Sequence, residues 1–211
     1  MTQIAVVDYG IGNIQSMCRA LEKSGADIVL TGDFNTILKS DGVVLPGVGA
    51  FSHGMEKLRS LGLVDVLKEF AKLEKPMLGV CLGMQLFFDK SSEFGETSGL
   101  GIVPGSVDKI ELKDEKHEKL PHVSWNELRG NHSWDGTILD GIEQCSDMYF
   151  VHSYCASPLH NEDILSSTTY SGNQFCSTIK HKNIYGCQYH PEKSGELGLK
   201  IIRNFVNLCR G

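Results

Sequence analysis

The stretch "PMLGVCLGMQ", residues 76–85, decides the fold because an apolar segment runs directly into a helical pattern. The residues before Cys81 are typical of a buried strand, and the pattern from Leu82 to Asp89 predicts a helix. Cys81 then occupies a tight strand-to-helix turn, where the flanking glycines Gly79 and Gly83 let the backbone pack closely. A strand that leads straight into a helix is the unit from which parallel α/β sheets are built.

The rest of the first half repeats this alternation. Strands are predicted at residues 4–9, 27–30 and 42–47. A helix is predicted from residue 14 until Gly25, with Cys18 on its apolar face, and a helical region spans residues 52–73 with an interruption near Gly62. Alternating strands and helices imply right-handed crossover connections and a parallel sheet.

The second half has a different pattern. A strand that begins at Ser106 becomes a charged loop by Leu120, which is typical of a solvated surface excursion. Later segments favour antiparallel strands: "MYFVHSY", "ILSSTTY", "FCSTIK" and "IYGCQYH". A closing helix is predicted over residues 195–209. We therefore predict an α/β fold, a single domain over residues 1–211 with a central mixed, mostly parallel sheet flanked by helices.

Composition excludes several classes of function. The net charge of −6 argues against nucleic acid as the main ligand, because a phosphate backbone requires a basic face. No uncharged apolar stretch approaches the length of a membrane span, and the N-terminus has the pattern of a first strand, not of a signal peptide. The seven cysteines include no C-x-x-C pair, so we expect free thiols in a reducing cytoplasm.

A zinc site is the alternative use of these cysteines. "HSYC" and "CQYH" could supply His152, Cys155, Cys187 and His190. Both segments favour strands, however, and strand residues three apart point to opposite faces, so we expect no metal site.

Cys81 has the surroundings of a nucleophile. The pattern glycine, any residue, nucleophile, any residue, glycine is that of the nucleophile elbow, here with sulfur in place of a hydroxyl. The N-terminus of the following helix stabilises a thiolate, and the N–H of Leu82 is free to bind an oxyanion. The alternative is a buried core cysteine in front of a helix.

A base for this nucleophile is found in "QYHPEKS". His190 and Glu192 are two residues apart in a segment that we predict to be extended, so their side chains point the same way. A carboxylate beside an imidazole holds its orientation and stabilises the imidazolium. Cys81, His190 and Glu192 then form a nucleophile–base–orienter triad, whereas "HPE" alone would fit a surface turn equally well.

A glycine-rich loop, "PGVGAF" (residues 46–51), follows the third predicted strand. Its glycines allow backbone conformations that aim N–H groups at an anion. The alternative is an ordinary turn between strand and helix.

In this order and spacing, "PGVGAF", "GVCLGMQ" and "QYHPEKS" resemble the oxyanion loop, nucleophile elbow and base motif of the class I (triad) glutamine amidotransferases. With "DYGIGN", "LPHVSWNEL" and "YFVHSY" the chain resembles, nearly end to end, the glutaminase subunits of imidazole glycerol phosphate synthase, an enzyme of histidine biosynthesis. The resemblance implies a flavodoxin-like sheet.

The resemblance also implies a mechanism. Cys81 attacks the side-chain amide of L-glutamine, His190 moves the proton to the leaving ammonia, and Glu192 orients His190. Water then hydrolyses the glutamyl thioester. The oxyanion is held by backbone N–H groups of Gly47, Val48 and Leu82. This chemistry requires no metal and no organic cofactor.

Further roles follow from the same resemblance. The implied substrate-binding residues are Gln85, Glu93 and Ser153. The implied partner is a (β/α)8 cyclase subunit, which forms a heterodimer with the chain and receives ammonia through a tunnel. The positions that match the interface with this partner are Asn13, Trp125, Tyr149 and Lys193. Trp125 could instead belong to the core, and Lys193 could simply be solvated.

Ser124 departs from the family pattern, which has glycine before the tryptophan. This difference keeps a paralogue open, one with the same half-reaction that supplies ammonia for amidination of a bacterial surface sugar. A related triad peptidase and a non-catalytic binding subunit are further alternatives.

Overall fold

The computed structural model describes residues 2–113, 119–130 and 132–211. The strands are β1 (Gln3–Val7), β2 (Asp27–Thr31), β3 (Gly42–Gly47), β4 (Met77–Cys81), β5 (Phe88–Ser91), β6 (Thr97–Ser98), β7 (Val103–Lys109), β8 (His122–Glu127), β9 (Asp147–His152), β10 (Tyr154–Pro158), β11 (Ile164–Tyr170), β12 (Asn173–His181) and β13 (Ile184–Cys187). The helices are α1 (Ile14–Lys23), α2 (Phe34–Lys39), α3 (Phe51–Ser60), α4 (Leu63–Lys72), α5 (Leu82–Leu86) and α6 (Gly195–Leu208), with short 3-10 turns at Asn161–Asp163 and Pro191–Lys193.

The main sheet has a parallel half and a mixed half. Its order is β2-β1-β3-β4-β13-β12-β10-β7-β5-β6, and β11 pairs with β12. The strands from β2 to β13 in this order are all parallel. Beyond β13 the pairs are antiparallel, apart from the parallel pair of β5 and β7. Strands β8 and β9 form a separate antiparallel pair, here termed the β8–β9 ribbon.

Helices cover both faces of the parallel half, as the continuous apolar pattern of its strands requires. Every residue of β3 and β4 is buried. Val44 and Leu78 pack toward one cluster that includes α1 and α6, while Val43 and Met77 pack toward a second cluster with α3 and α4. Cys18, expected in the core, is partly buried against the first cluster. The strand that ends at Cys81 is therefore enclosed along its whole length.

The predicted fold class is confirmed, with local corrections. The helix after Cys81 ends at Leu86 instead of Asp89, because Phe88–Ser91 joins the sheet beside β7. "MYFVHSY" is not one strand: the chain leaves the β8–β9 ribbon after His152 and enters the main sheet at Tyr154. A short apolar run does not reveal by itself whether it is helix or strand, or which sheet it joins.

Two further expectations concern the charged loop and membrane-spanning helices. The charged loop between Ser106 and Leu120 lies partly outside the described residues, at positions 114–118. Among the described helices, none is long and apolar enough to cross a membrane.

Candidate active site

The turn at Cys81 has the strained geometry of a nucleophile elbow. Its backbone has φ +53° and ψ −111°, and Cys81 ends β4 and immediately precedes α5. A Cβ added to Gly79 would lie 2.6 Å from the backbone nitrogen of Met84, and one added to Gly83 would overlap the carbonyl oxygen of Leu45. Both flanking glycines are therefore required for the strand and the helix to meet at this angle.

His190 and Glu192 form the expected pair, but the backbone at Pro191–Lys193 is not extended. His190 Nδ1 lies 2.8 Å from Glu192 Oε1, and both side chains are only 2% exposed. The segment Pro191–Lys193 is a 3-10 turn, so the prediction of an extended segment is wrong. Ser194 Oγ donates to the carbonyl of His190 at 2.7 Å and accepts from the N–H of Tyr149 at 3.0 Å, which fixes this turn on β9.

The electrostatics of His190 suit proton transfer to and from sulfur. Burial lowers the pKa of His190, but the nearby Cys81 and Glu192 outweigh it and raise the pKa to about 10. His190 Nε2 is buried and has no hydrogen-bond partner among the described residues. An imidazolium held beside Cys81 stabilises the thiolate, which is the reactive form of cysteine.

A cavity of about 320 Å³ lies over the elbow. It is lined by Val48, Gly49, Cys81, Leu82, Gln85, Glu93, Pro121, Val151, His152, Ser153 and Tyr154. The structure thus brings the predicted substrate-binding residues together with the nucleophile and with two of the three predicted oxyanion residues. Its volume falls at the small end of the range for ligand pockets, as a single amino acid requires.

Gly47, the third oxyanion residue, does not line this cavity. It pairs with Cys81 across β3 and β4, and a Cβ added to it would lie 2.5 Å from the Tyr9 hydroxyl and 3.0 Å from the nitrogen of Gly83. Tyr9 donates to the carbonyl of Pro46 at 2.8 Å and so braces the start of the glycine loop. Gly47 packs against the elbow, and the loop reaches the cavity at Val48 and Gly49.

Glu93 and Gln85 are held by backbone groups. Glu93 Oε2 accepts a hydrogen bond from the N–H of Phe51 at 2.6 Å, at the first residue of α3. Gln85 Nε2 donates to the carbonyl of Tyr154 and to Gln188 Oε1, each at 2.9 Å. Both side chains are therefore preorganised at the cavity wall.

Of the residues predicted to bind a partner, Tyr149 and Lys193 lie next to His190 and Glu192, and Trp125 lies next to Tyr149. Trp125 is 53% exposed and faces Tyr149 across the β8–β9 ribbon, with ring centroids 5.9 Å apart. Tyr149 lies 6.5 Å from the ring of His190. Lys193 is exposed directly after Glu192. Asn13 is partly buried at the start of α1.

Sequence reasoning missed a pair of histidines, His122 and His152, of which His152 lines the cavity. His152 Nδ1 donates to the carbonyl of Tyr154 at 2.8 Å, and its Nε2 lies 3.0 Å from Nδ1 of His122. Nε2 of His122 lies 2.8 Å from both Ser124 Oγ and Asn126 Oδ1. Burial lowers the pKa of His152 to about 3 and also lowers that of His122, so both rings are neutral.

These contacts occupy both nitrogens of His152, a histidine weighed above as a zinc ligand. Among the described residues, no group of three or more histidine, cysteine or acidic side chains could hold a metal ion. The alternating pattern of the two strands could have indicated that His122 and His152 face inward. That they face each other depends on the register of the β8–β9 ribbon, which the sequence does not give.

The sequence profile of the family "Glutamine amidotransferase class-I" matches residues 5–209. The chain belongs to this family. Among curated relatives of this amidotransferase is "Imidazole glycerol phosphate synthase subunit HisH 1" of Legionella pneumophila (strain Lens), 43% identical over 213 residues, which cover 99% of the chain and 100% of the relative. A HisH subunit of Bacillus cereus is 45% identical over 205 residues, covering 96% of the chain and 93% of the relative.

Solved structures with this fold are more distant in sequence. A crystal structure of a glutamine amidotransferase superposes with a TM-score of 0.72 at 15% identity, covering 98% of this chain and 99% of that one. PurLQS from Thermotoga maritima superposes with a TM-score of 0.70 at 17% identity, covering 97% of each chain. These similarities support the fold, and the family match supports an amidotransferase over the triad peptidase.

Proposed function

We propose that the chain is the glutaminase subunit of an imidazole glycerol phosphate synthase. It hydrolyses L-glutamine to glutamate and passes the ammonia to a cyclase subunit. The observation that carries this proposal is Cys81 in the wall of a cavity of amino-acid size, with the buried pair of His190 and Glu192 beside it. The names of the curated relatives, which align over nearly the whole chain, give the pathway.

The first half of the reaction uses the elbow and the histidine. Cys81 Sγ attacks the amide carbon of glutamine while His190 holds the thiol proton. The tetrahedral oxyanion lies between the N–H of Leu82, at the start of α5, and the glycine loop near Val48. His190 then protonates the departing nitrogen, so that ammonia leaves and a glutamyl thioester remains on Cys81.

The second half reverses these roles. Water attacks the thioester carbon, His190 takes its proton, and Cys81 leaves as glutamate is released. Glu192 remains hydrogen-bonded to Nδ1 of His190 throughout and keeps Nε2 directed at the reacting atoms. The triad returns to its starting state without a metal ion or organic cofactor.

Substrate recognition uses three residues of the cavity wall, Glu93, Gln85 and Ser153. Glu93 offers the negative charge that a glutamine α-ammonium group requires, Gln85 offers its amide, and Ser153 lies where β9 and β10 meet. A carboxylate and a neutral amide in one cavity wall suit a ligand that carries a charged group and an amide group.

The proposed partner is a (β/α)8 cyclase that forms a heterodimer with this single domain, residues 1–211, in the cytoplasm. Trp125, Tyr149, Lys193 and Asn13 would form the contact. Tyr149 stands between the exposed Trp125 and the triad histidine, so a partner seated here would lie close to the point where ammonia leaves. Direct transfer matters because free ammonia is largely protonated at neutral pH.

The decisive test is glutamate release from glutamine by the purified chain, alone and with a histidine-pathway cyclase subunit and its nucleotide ligand. Strong stimulation by that partner, absent in Cys81→Ala, is the expected result. The mutant should lose at least about 1,000-fold in rate, because removing the nucleophile removes the covalent route. No stimulation by the cyclase would overturn the pathway assignment while leaving the triad untouched.

A second candidate is a paralogue that feeds the amidination of a bacterial surface sugar. Ser124 favours it, since its hydroxyl enters the contact between His122 and Asn126 beside the exposed Trp125, where the family usually has glycine. Glutamate release that responds to a sugar-amidating partner but not to the histidine-pathway cyclase would select this candidate.

A further inference from the structure

A row of side-chain amides leads from a backbone carbonyl to the nucleophile. Gln85 Nε2 donates to the carbonyl of Tyr154 at 2.9 Å and to Gln188 Oε1 at 2.9 Å. Gln188 Nε2 lies 3.8 Å from Cys81 Sγ. Gln188 follows β13 directly and is fully buried, and the reaction steps described above give it no role.

The carbonyl of Tyr154 fixes the orientation of both amides. A backbone carbonyl only accepts, so the Gln85 atom that faces it must be the NH2 group. The second hydrogen of that NH2 group points at Gln188, whose facing atom must therefore be its oxygen. The NH2 group of Gln188 is then the end that faces Cys81.

A donor at this position favours one form of the nucleophile. In the thiol form, the only backbone acceptor near sulfur among the described residues is the carbonyl of Val151, 3.9 Å from Sγ. A thiolate is a pure acceptor and gains from the Gln188 N–H in a site where burial removes water. His190 contacts the same sulfur and is the group that takes its proton. Gln188 has no titratable group, so it acts on the sulfur only as a hydrogen-bond donor.

We propose that Gln188 is a positioning residue that donates a hydrogen bond to the Cys81 thiolate, with Gln85 and the carbonyl of Tyr154 holding its amide in the required orientation. Its contribution to glutamine hydrolysis rests on the proposed function, but its effect on sulfur does not. Gln85 then has a double role, because the NH2 group that it uses to orient Gln188 leaves its own oxygen for a substrate N–H.

The test measures how fast iodoacetamide alkylates Cys81 as a function of pH. All proteins carry Cys145→Ser, because Cys145 is exposed and would react in parallel, and labelling of the Cys81 peptide is followed by mass spectrometry. The test variant is Gln188→Met, which keeps an unbranched side chain of similar volume without the donor. The matched control is Thr178→Val, which removes a buried polar group that contacts Tyr189, two residues beyond the end of the neighbouring strand β13.

In Gln188→Met the midpoint of alkylation should rise by about one pH unit, because the thiolate loses a hydrogen-bond donor that the thiol does not need. Thr178→Val should leave the midpoint of its parent unchanged. An unshifted midpoint in Gln188→Met, or an equal shift in Thr178→Val, overturns the proposal. If Gln188→Met does not fold, the isosteric Gln188→Glu replaces it and should raise the midpoint further, because a carboxylate repels the thiolate.

Turnover separates this proposal from the proposed function. With a responsive partner, Gln188→Met should lower kcat for glutamine about tenfold and leave the partner's Kd unchanged, because Gln188 is buried away from the partner-binding residues. An alkylation shift without any glutaminase activity in the parent would leave the role of Gln188 standing and remove the proposed function.

Discussion

The parallel half of the main sheet and the β8–β9 ribbon differ in how much of their surface reaches water. Strands β3 and β4 are buried at every residue, with helices on both faces. The ribbon buries His122 and Phe150 on one face and exposes 53% of both Val123 and Trp125 on the other. The proposed nucleophile, Cys81, lies in the enclosed region, and Trp125, which is proposed for partner binding, lies on the open one.

This difference separates two tasks. The elbow needs a strained backbone, which persists only where the surroundings determine it fully. Partner binding needs aromatic surface that water can reach before assembly. Where the two regions meet, Tyr149 pairs with Trp125 on one side and holds His190 through its own carbonyl at 2.9 Å on the other.

The sharpest way to break the enclosed region is Gly83→Ala. The added methyl group would overlap the carbonyl of Leu45, which belongs to the sheet and cannot move aside. We expect a loss of about 3 kcal/mol or more in the free energy of unfolding, measured with urea. The control is Gly136→Ala, where φ is +65° but space is open, and the loss should be about 1 kcal/mol. Equal losses would contradict a steric origin.

Glu192→Gln should weaken the proposed triad without changing the shape of the side chain. The amide keeps a partner for Nδ1 of His190 but removes the charge, so the pKa of His190 should fall from about 10 toward its ordinary value. We expect kcat to fall by about 100-fold. Titration of the His190 ring by NMR checks the cause. An unchanged titration would show that Cys81 alone sets the charge on the imidazole.

On the open ribbon, Trp125→Ala should separate partner binding from folding. The affinity for the partner should fall by about 30-fold, as for an aromatic hot spot, while the free energy of unfolding changes by less than about 1 kcal/mol. Leu61→Ala is the matched control, since Leu61 is 54% exposed at the end of α3, and it should leave the affinity unaltered. Calorimetric titration with the cyclase measures the affinity of both variants, and unfolding in urea measures their stability.

The smallest expected effect concerns acid. The pKa of His152 is about 3 when folded and near 6.5 when unfolded, so the unfolded chain binds the additional proton below pH 6.5 and stability falls as the pH drops. At pH 5.5 this amounts to about 1 kcal/mol. His152→Gln should therefore lose less stability than the parent between pH 7 and pH 5.5, in urea titrations at both values. An equal loss of stability in the parent and in His152→Gln would contradict a neutral, buried His152 ring.

The sequence predicted the enclosed region better than the open one. Repeated apolar runs and the glycines around Cys81 are local signals, and the structure matches them closely. The partners of His122, and the row from Tyr154 to Gln188, depend on which strands pair and in what register. Pairs such as Gln85 and Gln188 lie more than one hundred residues apart in sequence, and no local pattern reports that distance.

Two further errors have local causes. The segment Phe88–Ser91 contains no glycine or proline that would end α5 before it, and only its pairing with β7 makes it a strand. The segment after His190 was expected to be extended, but proline at position 191 also fits the first residue of a 3-10 turn. In the second case the side chains of His190 and Glu192 still met, because the turn is short.

The open face of the ribbon also bears on how the protein is produced in a cell. Val123 and Trp125 are two residues apart on one strand, so they form a single apolar surface. A copy made in excess of the proposed partner would keep this surface in water and be prone to self-association and degradation. Balanced synthesis of the two subunits would thus be selected through solubility, independently of any demand for ammonia.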